Sequence, residues 1–161
     1  MYTIAIIGYG GMGGWHAKQL LSLPEEFRLA GIYDINPERI DAAEKDGIHG
    51  YQTLDALLSD PEIRTVILAV PNNFHKPLSI QAMRAGKNVI CEKPVMMNAA
   101  ELEEVIAVSK ETGRQFSVHQ NRRWDKDFLM VKKLIEDGSI GKPFYIESRV
   151  QGSKGIPGDW R

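Results

Sequence analysis

A chain of 161 residues with 43% hydrophobic and 25% charged side chains is long enough for one domain with a buried core and a piece of another, and its composition is that of a globular protein. Its 20 basic and 21 acidic residues leave a net charge of -1, which excludes a global argument for nucleic acid, an anionic membrane or a polyanionic substrate as partner. The single cysteine, Cys91, cannot form an internal disulfide and no apolar run reaches transmembrane length, so a cytoplasmic protein without membrane contact is expected.

The first predicted element is the apolar run Ile4-Ala5-Ile6-Ile7, which breaks into Gly8-Tyr9-Gly10-Gly11-Met12-Gly13 and then into a helical pattern. A strand, a tight turn and a helix start form the context in which a GxGxxG sequence becomes informative. Gly8 permits the sharp turn, Gly10 has no Cβ to hold backbone away from a pyrophosphate, and Gly13 lets the helix pack close to the strand. The free N–H groups and positive dipole end of the helix then attract phosphate. A glycine-rich turn without a ligand is the alternative. Trp15, Ala17, Leu20 and Leu21 continue the helix until Pro24; Trp15 reads as a packing residue and His16 as either a surface residue or a neighbour of the site.

Phe27 to Asp34 is a second strand, ending in an acid about 20 residues beyond the glycines, as the ribose-binding acid of a dinucleotide-binding unit does. A carboxylate there accepts hydrogen bonds from ribose hydroxyls and repels a 2′-phosphate, so NAD is favoured over NADP; nearby Arg39 keeps NADP open. Asp34 also suits a cap on the Asn36-Pro37 turn or on the following helix. Pro37 to Lys45 reads as that helix, followed by a short strand at Ile48 to Tyr51 and a helix at Asp55 to Leu58 capped by Thr53.

Arg64 to Val70 is apolar on both faces, as a central parallel strand is. Ligands bind at the carboxyl ends of such strands, which places Pro71, Asn72 and His75 where a cofactor or substrate would lie, although turn formation and helix starting account for the same residues. A helix runs on through Ser79 to Ala85, and Asn88 to Cys91 is the next strand, leading into Glu92-Lys93-Pro94. A lysine at that strand end can hold a substrate hydroxyl beside a nicotinamide; from spacing alone a surface ion pair explains it better. Asn98 to Lys110 is an amphipathic helix, and Gln115 to His119 is a strand with Asn121, Arg122, Arg123 and Trp124 at its mouth, either walling a polar substrate pocket or starting the helix at Asp125 to Asp137. Phe144 to Val150 alternates apolar and polar, the pattern of a half-buried antiparallel strand.

With these motifs in hand, the chain resembles the N-terminal part of the Gfo/Idh/MocA oxidoreductases. The resemblance rests on Gly8 to Gly13, Asp34, Pro71-Asn72 with His75, Ala85-Gly86-Lys87, Cys91-Glu92-Lys93-Pro94 and Asn121-Arg122-Arg123-Trp124, the Glu92-Lys93-Pro94 element being the most specific. It implies an α/β Rossmann domain at 1–121, with helices on both faces of a parallel sheet, and at 122–161 a connecting helix and the first strand of a truncated second domain. Lys93 would be the catalytic lysine, with Pro94 after a strained or cis bond. Gly8, Tyr9, Gly10, Gly11, Met12, Gly13, Asp34, Pro71, Asn72, His75, Glu92, Lys93, Asn121, Trp160 and Arg161 would line the cofactor, and Lys93, Arg122 and Trp124 the substrate. No metal is implied. The family moves a hydride between NAD(P) and a carbinol carbon of a sugar, cyclitol or related polyol, and the full-length protein would be a homo-oligomer. The family's second catalytic pair, an aspartate and a histidine of the second domain, has no counterpart here, so the isolated chain is expected to be inactive. A non-catalytic dinucleotide-binding sensor or regulatory module is the alternative.

Overall fold

The computed structural model describes residues 1–149, which fall into two units, Met1–His119 and a second beginning at Gln120. In the first unit the strands β1 (Tyr2–Ile7), β2 (Phe27–Tyr33), β3 (Thr65–Leu68), β4 (Asn88–Cys91) and β5 (Phe116–Val118) form one sheet in the order β2-β1-β3-β4-β5. Every pairing is parallel, and the chain crosses over through α1 (Gly11–Leu21), α2 (Pro37–Lys45), α3 (Leu54–Ser59), α4 (His75–Arg84) and α5 (Ala99–Thr112).

The strands are apolar throughout because both faces are covered. Along β1, Ile4 and Ile6 face a layer with Ala17 and Leu20 of α1 and Ile40 and Ala43 of α2, while Ala5 and Ile7 face Met83 of α4 and Val105 and Val108 of α5. Full burial of each Ile or Leu contributes about 1.5–3 kcal/mol relative to exposure, so this double-sided core is what makes a sheet of three- to seven-residue strands hold. This is a Rossmann-type α/β fold. Helix starts follow from local chemistry: the Asn36, Thr53 and Asn98 side chains accept hydrogen bonds from the amides of Glu38, Ala56 and Glu101, and Pro37 opens α2. No helix among the described residues is long and apolar enough to cross a membrane.

Two expected strands differ. Between Ile48 and Tyr51 only Gly50 bridges to Ile32, because the segment runs past the outer edge of β2 and exchanges just the bonds Ile32 N–H to His49 O (2.9 Å) and Tyr51 N–H to Ile32 O (2.8 Å). Residues 144–149 carry no strand; Phe144, Tyr145 and Ile146 are exposed, and no other strand among the described residues pairs with them. Alternation specifies which face is apolar but supplies no partner edge. Within the second unit, Asn121–Trp124 form a 3-10 turn and α6 (Lys126–Glu136) follows.

Candidate functional site

Strand order reverses between β1 and β3: from β1 the chain goes outward to β2, then returns past β1 to β3. In open parallel sheets the crevice at the carboxyl ends of the strands at such a point is where ligands bind. Here it is floored by the glycine turn after β1 and the Val70-Pro71 turn after β3, with Asp34 and Glu92 at either side.

The glycine turn is dictated by close approach. Gly8 has φ +94°, and a Cβ there would lie 2.5 Å from the Ala69 carbonyl oxygen; a Cβ on Gly13 would run into the Gly8 carbonyl oxygen. These two residues are needed by the protein itself. At Gly10 a Cβ would meet only the Arg39 guanidinium, at 3.5 Å, so the space above it is open. Gly10 is also the N-cap of α1, with no side-chain cap, and no acid occupies the first turn. The amides at this helix start are therefore available to an anion. Tyr9, Gly11 and Met12 complete the loop, Gly11 and Met12 on its exposed side.

Asp34, just past β2, is 4% exposed and bonds to this loop. Its Oδ2 accepts from Tyr9 N–H (2.7 Å) and Arg39 (3.2 Å), and Oδ1 accepts from Asn36 N–H (2.9 Å). The turn-capping reading of this residue applies: the carboxylate pins the glycine loop and the Asn36 turn, and Arg39, its third partner, is half-exposed. The helix cap on α2 is Asn36, not Asp34.

On the opposite side, Pro71 precedes the 3-10 turn Asn72–Phe74, and Asn72 is half-buried at the cleft. His75 behaves differently from expectation. It is fully buried, with Nδ1 2.9 Å from Pro94 O and Nε2 3.0 Å from Val70 O. Both ring nitrogens face backbone carbonyls, so the side chain has no polar atom left for a ligand, and it instead ties the loop after β3 to the loop after β4.

The β4 loop carries Glu92-Lys93-Pro94, with the Lys93–Pro94 peptide cis. Lys93 is exposed and forms no ion pair among the described residues. Glu92 is 5% exposed: Oε1 receives His16 Nε2 and His119 Nδ1, each at 2.8 Å, and Oε2 accepts from Lys93 N–H at 3.2 Å. Burial alone would raise the Glu92 pKa; the bonds from His16 and His119, the charge of His119 and the Lys93 amide outweigh it and bring the carboxyl down to about 2. Neighbouring Cys91 is pushed up to about 12 by burial and by Glu92, leaving an inert thiol.

His16 and His119 are the residues that sequence reasoning left least defined. The available signal was helical phase: His16 shares the buried face of α1 with Gly13, Ala17 and Leu20, and a polar side chain on a buried face demands a partner. Trp15, expected as a packing residue, lies against the His16 and His119 rings, with centroids 5.2 and 5.9 Å away, and is 43% exposed. In the second unit, Asn121 and Trp124 are exposed and Arg122 pairs with Asp125 at 3.1 Å. Trp160 and Arg161 lie outside the described residues.

The family model described as "Oxidoreductase family, NAD-binding Rossmann fold" matches residues 2–120. The chain belongs to the Gfo/Idh/MocA oxidoreductase family. Among its Gfo/Idh/MocA relatives, scyllo-inositol 2-dehydrogenase (NADP(+)) IolW of Bacillus subtilis is 34% identical over 85% of this chain and 38% of its own length. Myo-inositol 2-dehydrogenase of Thermotoga maritima is 33% identical over 87% of this chain and 42% of its own. The crystal structure of an NAD-binding protein from Listeria innocua superposes with a TM-score of 0.93 at 45% identity, covering 99% of this chain and 47% of that one. The chain therefore spans about two-fifths of the length of the curated relatives it matches. Residues 2–120 are the family's NAD-binding Rossmann domain.

Proposed function

We propose that this chain is the cofactor-binding part of a dehydrogenase that moves a hydride between a nicotinamide dinucleotide, NAD in preference to NADP, and a CH–OH carbon of a cyclitol, sugar or related polyol. The observation that carries the reading is the uncapped start of α1 at Gly10 set beside the pinned carboxylate of Asp34, since together they suit a pyrophosphate and its adjoining ribose. Gly8 to Gly13 cradle the phosphates, Asp34 takes the ribose, and Pro71, Asn72 and Glu92 border the dinucleotide, with His75 acting through the loops it ties. The roles that the family resemblance gives to Asn121, Arg122, Trp124, Trp160 and Arg161 belong to the same proposal, as does a homo-oligomeric parent protein.

When bound, nicotinamide supplies the hydride-accepting and hydride-donating carbon. Lys93 holds the reacting oxygen and stabilises negative charge on it. Its backbone is set from two sides, through Glu92 on one and through the His75 bond to Pro94 O on the other. The inositol dehydrogenases among the relatives support a cyclitol or sugar as substrate class.

In the full-length protein, Lys93→Met is expected to lower kcat on an inositol and polyol panel by a hundredfold or more, on the order of 3 kcal/mol of transition-state stabilisation, while NAD affinity stays within about threefold. Near-wild-type turnover would overturn the role of the lysine. Loss of cofactor affinity with unchanged kcat would assign it to binding.

A further inference from the structure

His16, Glu92 and His119 converge from three separate elements: the buried face of α1, the residue after β4 and the residue after β5. The backbones of the last two are fixed by the sheet, Glu92 N–H to Leu68 O at 3.1 Å and His119 N–H to Cys91 O at 2.9 Å. Each side chain offers one ligand atom, and the three atoms lie within 4.8 Å of one another. We propose that these three residues form a binding site for a single divalent transition-metal ion of the zinc, cobalt or nickel class.

Charge is the first argument. Glu92 is 5% exposed, and its side-chain ion-pair partners among the described residues are the two imidazoles alone, with no lysine or arginine at that distance. A buried carboxylate with no lysine or arginine beside it has only the two imidazoles to offset its charge, and buried charge is costly away from water. A cation between the three ligand atoms cancels it.

The donor set is the second. Two imidazole nitrogens and a carboxylate oxygen suit zinc and its neighbours, whereas calcium and magnesium take oxygen ligands. Bonds of about 2.0–2.2 Å to one ion place ligand atoms roughly 3–4 Å apart, so the contacts now at 2.8 Å lengthen slightly and the widest separation, within 4.8 Å, closes by about 1 Å. His119 is only partly buried, its side chain 24% exposed, which gives an ion a path in from solvent. With three protein ligands the fourth position stays open to water.

The test uses this chain after chelator treatment, with Co2+ and Zn2+ alone as probes. Visible absorption should saturate at one equivalent of Co2+, and Zn2+ should displace it. His16→Ala and, separately, His119→Gln should each weaken Co2+ binding by at least the tenfold to hundredfold that even an outer-sphere partner commands, while exposed His49→Ala leaves it unchanged. His119→Gln sits at a partly open position and decides the matter if His16→Ala does not fold. No saturable equivalent, or equal affinity in His119→Gln and His49→Ala, would overturn the site and leave the cluster as a hydrogen-bonded clasp. No dinucleotide takes part, so this result is independent of whether the chain binds NAD.

Discussion

Replacing Glu92 with Gln keeps the size of the side chain and removes its charge. Oε1 accepts from both imidazoles and Oε2 from Lys93 N–H, so an amide oxygen can serve only one side and its NH2 must face a donor on the other. The magnitude follows from linkage. The Glu92 carboxyl moves from its ordinary 4.5 to about 2. At about 1.4 kcal/mol per unit that sets a ceiling near 3.5 kcal/mol, and screening through the partly exposed His119 brings it to roughly 1–2 kcal/mol. Because the folded-state pKa is depressed, the unfolded chain takes up the proton first as pH falls. The contribution is therefore complete above about 4.5 and is lost between there and about 2. Urea unfolding in chelated buffer should show wild type more stable than Glu92→Gln by about 1–2 kcal/mol near neutral pH, with the gap closing toward about pH 3. A gap that stayed constant across that range would refute the linkage and leave only a packing effect.

Gly13→Ala forces a methyl against the Gly8 carbonyl, a backbone atom that cannot rotate away, and should cost about 3 kcal/mol, the upper end for overpacking; thermal melts beside Gly14→Ala, where nothing lies within 4 Å and a gain of about 0.5–1 kcal/mol is expected, provide the contrast. Asp34→Ala leaves the Tyr9 and Asn36 amides without their acceptor, which should destabilise by roughly 1–3 kcal/mol in denaturant titration. The same variant should narrow the preference for NAD(H) over NADP(H), read by calorimetry.

Much of the fold was legible because local signals and burial agreed. The Ile4 to Ile7 run is apolar on both faces and ends in glycines, which specifies a buried strand and its turn; Pro37 marked the start of α2, and the amphipathic pattern from Asn98 that of α5, although the caps themselves, Asn36 and Asn98, show only in the structure. What stayed hidden depends on distance along the chain. The Glu92 clasp joins residues 76 and 27 positions apart, and nothing local marks His119 as its member. His75 sits in the loop where a ligand contact was expected, yet spacing could not say that its ring turns inward to Val70 and Pro94. Asp34 took the turn-pinning role that spacing allowed, accepting from the Tyr9 and Asn36 amides, and the ribose role proposed for it rests on the lone pairs that remain. Residues 144–149 show the limit of alternation: a two-residue period describes a strand only when an edge is there to receive it.

The most direct measurement is calorimetric titration of the 161-residue chain with NAD(H) and NADP(H) under identical salt. Binding at one site per chain is predicted, with NAD(H) tighter by roughly tenfold or more, about 1.4 kcal/mol, because a 2′-phosphate would be set against Asp34. Equal or tighter binding of NADP(H), or no binding of either, would contradict the assignment of the glycine turn and Asp34 to the cofactor.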